Sequence, residues 1–100
     1  MSAQIRLDGQ TLFLMGLVDF AHAAEIYRSG CEVLAATTER HVQLDLSALQ
    51  HSNTLTVALI VQWIRQFQGK IQLQLVHIPN QLQAIMRASN LEMLMPTPPA

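Results

Sequence analysis

The chain has 100 residues, of which 50% are hydrophobic and only 13% charged, with a formal net charge of -1 and one cysteine. That length allows a single domain and suffices for a core without disulfides or metal, since such a chain buries roughly 60–70% of the surface that its unfolded form exposes. Six basic against seven acidic residues, with no cluster of Lys or Arg, argue against a nucleic-acid partner, whose phosphates would meet no basic footprint.

The charged fraction is about half the usual one. Mean hydropathy is +0.23, and eleven glutamines supply much of the polarity that charges would normally give. Such a surface is either covered in part by a partner or only modestly soluble alone. The opening residues, MSAQIRLDG, lack the basic region and apolar run of a signal peptide, and no apolar stretch approaches the length of a spanning helix. The expectation is a cytoplasmic protein without direct membrane insertion. Cys31, lacking a partner and set within helical spacing, reads as a small buried hydrophobe.

In chain order, Ile5-Arg6-Leu7-Asp8 alternates weakly, Asp8-Gly9 signals a turn, and Thr11 to Gly16 reads as a second strand, so the domain opens with a hairpin. From Phe20 to Ala36, residues Ala23, Ile26, Tyr27, Gly30 and Leu34 recur at helical spacing, with Asp19 placed to cap and Glu25 in an early turn. Gly30 weakens that helix by up to about 1 kcal/mol relative to Ala, which predicts close packing against a sheet or a break. His41 to Leu46 alternates with Val42, Leu44 and Leu46 on one face, and Ser47 to Thr54 forms a polar loop.

Helical spacing returns from Thr54 to Gln68, where Val57, Ile60, Val61, Ile64 and Phe67 share a face and Leu55, Leu59 and Trp63 widen it. Gly69-Lys70 ends that helix, Ile71, Leu73 and Leu75 alternate with glutamines as a strand, and Pro79 opens a short helix carrying Leu82, Ile85 and Met86. Leu91 to Leu94 is a candidate last strand or turn, and the proline-rich residues 96–100 read as a flexible tail. The order β-β-α-β-α-β-α describes a single α/β domain over residues 1–95, with a mixed sheet of about four to five strands and helices packed on it.

Few residues offer chemistry. Gly9, Gly16, Gly30 and Gly69 are isolated, so no phosphate-cradling loop can be drawn and no cofactor is expected. His22, His41, His51 and His77 lack metal-ligand spacing, and no metal is expected. His51-Ser52 supplies a base and a hydroxyl, but adjacent side chains diverge and no orienting group is evident, so no catalytic residue is assigned. Asp45, at a strand end, either pairs with a histidine across the sheet or accepts hydrogen bonds from its loop. Ser52, Asn53, Thr54 and Thr56 gather where the first helical N–H groups lack partners, which fits plain capping or a docking or phosphoacceptor site.

Asp45-Leu46-Ser47, followed by Asn53-Thr54-Leu55-Thr56 at the head of the apolar run Val57-Ala58-Leu59-Ile60-Val61, resembles the signature of the STAS domain family across residues 5 to 95. The resemblance implies a STAS-like, anti-sigma factor antagonist-like fold. In that pattern Asn53 stands where the family carries an acidic residue, Thr54 at the hydroxyl phosphorylated in sigma-regulatory members, and Thr56 in place of glycine. The DGQTLFLMG opening, the glutamine-rich middle, Pro79-Asn80 and Asn90-Leu91 are most similar to the MlaB-type accessory subunits of Gram-negative phospholipid ABC transporters. That likeness implies a non-catalytic partner of the transporter ATPase within a permease complex, peripherally associated with the inner membrane and serving outer-membrane lipid asymmetry. The alternative partner is a serine-kinase anti-sigma factor, with Thr54 as phosphoacceptor. In either case the implied docking surface is His51, Ser52, Asn53, Thr54, Leu55, Thr56 and Val57.

Overall fold

A computed structural model describes residues 3–91. Its elements are β1 (Gln4–Asp8), β2 (Thr11–Met15), α1 (Ala23–Ala36), β3 (His41–Asp45), α2 (Thr54–Gln66), β4 (Gln72–Val76) and α3 (Asn80–Ala88), which is the order expected from the sequence. The candidate strand or turn at residues 91–94 falls almost wholly outside the described residues, as does the tail at 96–100. Within them the sheet has four strands.

The strands lie side by side as β1-β2-β3-β4, with β1 antiparallel to β2 and the other pairs parallel. The hairpin turn is Gly9-Gln10, and Gly9 takes φ 62°, a left-handed conformation that a Cβ would disfavour. The two crossovers, through α1 and α2, step across the sheet in the same direction. Right-handed connections of that kind place both helices on one face, so the fold has two layers instead of three.

Strand register shows the consequence. Leu7, Leu12, Leu44 and Leu75 form a row across the four strands, flanked by Ile5 beside Leu14 and Val42 beside Leu73, and these side chains meet the helices. On the opposite face Asp8, Thr11, Gln43 and Gln74 form one row, and His41 stands beside Gln72. The period-two alternation read from β3 and β4 thus separates a dry face from a wet one.

The helical layer is held at one close crossing. Trp63, fully buried on α2, lies over Gly30 of α1, where a Cβ would overlap the indole ring, and its Nε1 donates to the Tyr27 carbonyl at 3.1 Å. The notch predicted at Gly30 therefore receives a helix and not the sheet, and α1 continues through it unbroken. Cys31, one residue on, is half-buried against the core.

Helix α1 begins three residues later than the periodicity suggested, because Asp19 caps the preceding turn. Its Oδ1 accepts the His22 N–H at 2.8 Å and also meets His22 Nδ1 at 2.8 Å. Helix α3 closes with Asn90 at φ 59°, whose N–H reaches the Arg87 carbonyl while the Leu91 N–H reaches that of Met86 at 2.8 Å, a Schellman pair that satisfies the last carbonyls. No described helix is long and apolar enough to cross a membrane.

Candidate functional site

The loops that leave β2 and β3 run side by side beyond the sheet. Gly16 N–H donates to the Ala48 carbonyl at 3.1 Å, and the Gln50 N–H returns a bond to the Gly16 carbonyl at 2.9 Å. These bonds extend the parallel pairing past the named strands and carry the start of α2 alongside the approach to α1.

Asn53 fixes the head of α2. Its backbone is extended, and its Oδ1 accepts both the Thr56 N–H at 2.8 Å and the Thr56 hydroxyl at 2.9 Å. Its Nδ2 donates to the Val18 carbonyl at 3.0 Å in the neighbouring loop. One amide therefore satisfies an orphan helical donor, pairs a hydroxyl and laces two loops together. A carboxylate at this position would keep the acceptor but lose the donor to Val18.

This geometry divides the residues expected at a docking surface. Thr54, the first residue of α2, and His51 are exposed, while Ser52, Asn53 and Leu55 are half-buried. Thr56 is wholly buried and Val57 only 6% exposed, so neither side chain presents itself at the surface. The bulk of Thr56 is thus absorbed internally: its hydroxyl is turned back onto the Asn53 cap, away from an approaching partner.

At the ends of β3 and β4, Asp45 meets both descriptions that the sequence left open. Oδ1 accepts the Ser47 N–H at 2.8 Å, and Oδ2 lies 3.0 Å from Nδ1 of His77. Burial pushes the Asp45 carboxyl up, but the Ser47 side chain and N–H together with His77 outweigh it and hold the group below the usual carboxylate value. His77 reaches this position with φ 54°, a left-handed backbone that histidine adopts more readily than most residues. The pair binds the β3 and β4 ends together. Among the described residues no cluster of three or more His, Cys, Asp or Glu could hold a metal.

One surface residue escaped sequence reasoning. Phe20 reads there as the start of the first helix, yet it sits in the turn before α1 and is 91% exposed. The Asp19–His22 bonds close that turn, and the Asp19 carboxyl is held below its ordinary value first by the side-chain hydrogen bond from His22. The adjacent Asp19 and His22 were the available signal: a short polar clasp around an aromatic residue marks a turn.

Comparisons with known proteins agree on the domain. The chain is similar over 92% of its length to 96% of a chain in the Acinetobacter MlaFEDB complex in its ATP-bound Vtrans2 conformation, with 32% identity and a TM-score of 0.83. For the Vtrans1 conformation of that complex the identity is 31%, the coverage 86% of this chain and 90% of that one, and the TM-score 0.78. The anti-sigma factor antagonist SpoIIAA in its unphosphorylated form shares the fold at 13% identity, with 94% of this chain and 85% of that one aligned and a TM-score of 0.74. No curated protein shows a significant sequence match. The family model described as "Mlab, STAS domain" matches residues 1–96, nearly the entire chain, and the chain accordingly belongs to the STAS family.

Proposed function

We propose that this protein is a non-catalytic accessory subunit that binds the ATPase of a phospholipid ABC transporter and supports its assembly and activity in outer-membrane lipid asymmetry. It works from the cytoplasm, held at the inner membrane through the permease complex. The observation that carries this reading is the 31–32% identity to a chain of the Acinetobacter MlaFEDB complex over at least nine-tenths of that chain, against 13% for the anti-sigma factor antagonist. The docking surface is centred on His51, Ser52, Thr54 and Leu55 at the head of α2, with Asn53 setting its shape from beneath.

The head of α2 carries no acidic residue in its first turn, and its exposed group there is a neutral hydroxyl. A surface of this kind binds by shape and hydrogen bonds more than by charge. The second reading, a phosphorylation-switched antagonist of a serine-kinase anti-sigma factor, draws on the exposure of Thr54 at a helix N-terminus, where phosphate is electrostatically favoured. Copurification separates the two. The accessory reading expects a transport ATPase and permease to accompany the tagged protein; recovery of a serine-kinase anti-sigma factor with phosphate on Thr54 would replace it with the switch.

A further inference from the structure

At the end of the molecule away from the head of α2 lies a separate cavity of about 270 Å³, between the segment that joins α1 to β3 and the segment that joins α2 to β4. The 13 residues of α2 hold the two ends about 20 Å apart. The cavity floor is apolar, formed by Leu34 and Phe67, both nearly closed off from water, and by the half-buried Ile71. Its rim is polar, with Arg40 and Lys70 exposed near the hydroxyls of Thr37 and Thr38.

Glu39, the acid of that rim, does not serve those bases. Its Oε2 accepts from Gln10 Nε2 of the hairpin turn at 2.8 Å, and the salt bridges among the described residues are His22–Asp19 and His77–Asp45. Arg40 and Lys70 thus carry their charges with no carboxylate beside them among those residues. Nor is the Lys70 side chain needed to close α2. Backbone N–H groups already occupy the Trp63, Arg65 and Phe67 carbonyls, those of Lys70 and Ile71 meeting the last at 3.0 and 2.9 Å. Two bases against one acid leave the rim with a single net positive charge.

An apolar floor below a few convergent polar groups is the ordinary form of a small-molecule site, and this volume lies just under the roughly 300–1,000 Å³ of drug-sized ones. A fitting ligand is short, apolar along its body and singly negative at one end. We infer that this cavity binds a small amphipathic monocarboxylate, its alkyl chain against Leu34, Phe67 and Ile71 and its carboxylate at Arg40 and Lys70. Burial of the chain drives binding, while the carboxylate stays at the rim, where both bases meet it and no unpaired charge enters the core. The cavity is remote from the head of α2, so this inference does not depend on which partner docks there.

An NMR titration of the isotope-labelled full chain with octanoate tests it. Saturable shifts should be largest at the amides of Ala35, Thr37 to Arg40 and Lys70. Octanol, which keeps the chain without the charge, and acetate, which keeps the charge without the chain, should each bind at least about tenfold more weakly. Arg40→Gln combined with Lys70→Gln should weaken octanoate binding by about tenfold or more. Ala35→Phe, which fills the mouth of the cavity from an exposed position, should abolish it. Spectra that overlay the parent's away from the cavity show that the variants are folded. The proposal is overturned if octanoate gives no saturable shifts in the parent, or if octanol binds as tightly as octanoate. Shifts confined to the open groove between α1 and α2, which Ala24 and Ala58 help to line, would equally overturn it.

Discussion

The glutamine rows on the bare face of the sheet and the α1–α2 groove are both uncharged stretches of surface, but with different chemistry. Gln4, Gln43, Gln72 and Gln74 project from exposed positions of the bare sheet face, where each amide can bond water and no partner is required. The α1–α2 groove instead presents Ala24 and Ala58 to solvent, and Phe20 in the turn before α1 is likewise exposed, apolar surface that gains nothing from water. A low charged fraction is thus two statements in one composition. The amides share their face with the charges of Arg6 and Asp8, whereas the groove between α1 and α2 is lined by apolar and neutral side chains.

That contrast can be broken most severely at the crossing that builds the helical face. Gly30→Ala forces a methyl group into the Trp63 indole and should cost about 3 kcal/mol in urea unfolding, despite the better helix propensity of Ala. A loss below about 0.5 kcal/mol would mean that α1 and α2 are not clasped as described. Next in size is Asn53→Ala, which removes the cap on Thr56 and the bond to Val18 together and should cost about 2 kcal/mol by the same measurement. Asn53→Asp should cost less, since it keeps the acceptor and adds a charge that the helix N-terminus favours.

A smaller effect is expected on acidification. Asp45 has a depressed pKa in the folded chain, so its contribution to stability is fully present above the unfolded value of about 3.9 and is lost as pH falls through the folded pKa. The urea midpoint should therefore decline less between about pH 6 and about pH 3 in Asp45→Asn than in the parent. An identical decline in both would show that the bonds from Ser47 and His77 do not favour the ionised form. The smallest effect belongs to the amide face: Gln74→Ala should change stability by no more than about 0.5 kcal/mol.

Local periodicity carried most of the fold. The alternation of Val42, Leu44 and Leu46, and the spacing of Val57, Ile60 and Ile64, are contained within single elements and depend only on neighbours in the chain. Features that join distant residues were less legible. Gly30 announced a close approach, but that its partner is Trp63 depends on how α1 and α2 are laid on the sheet. Asp45 was visible as a carboxylate at a strand end, whereas its pairing with His77 required the left-handed turn after β4.

The candidate site shows the same limit. A cluster of Ser52, Asn53, Thr54 and Thr56 marks a helix start in the sequence, yet only the cap geometry turns Thr56 inward and leaves Thr54 outside. Both hydroxyls have similar composition and opposite surroundings. Phe20 was the converse case: helical spacing placed it at the first residue of a helix, whereas the Asp19–His22 turn leaves it in water.

In the proposed function, the head of α2 docks on a transport ATPase through an uncharged contact. Its most direct test is a binding titration of the ATPase subunit with the parent chain and with Thr54→Glu, an exposed position where the change leaves the Asn53 cap in place. The parent should bind, and the folded variant should bind at least about tenfold more weakly, because its carboxylate would be buried without a partner. Equal affinity of the two proteins would contradict it.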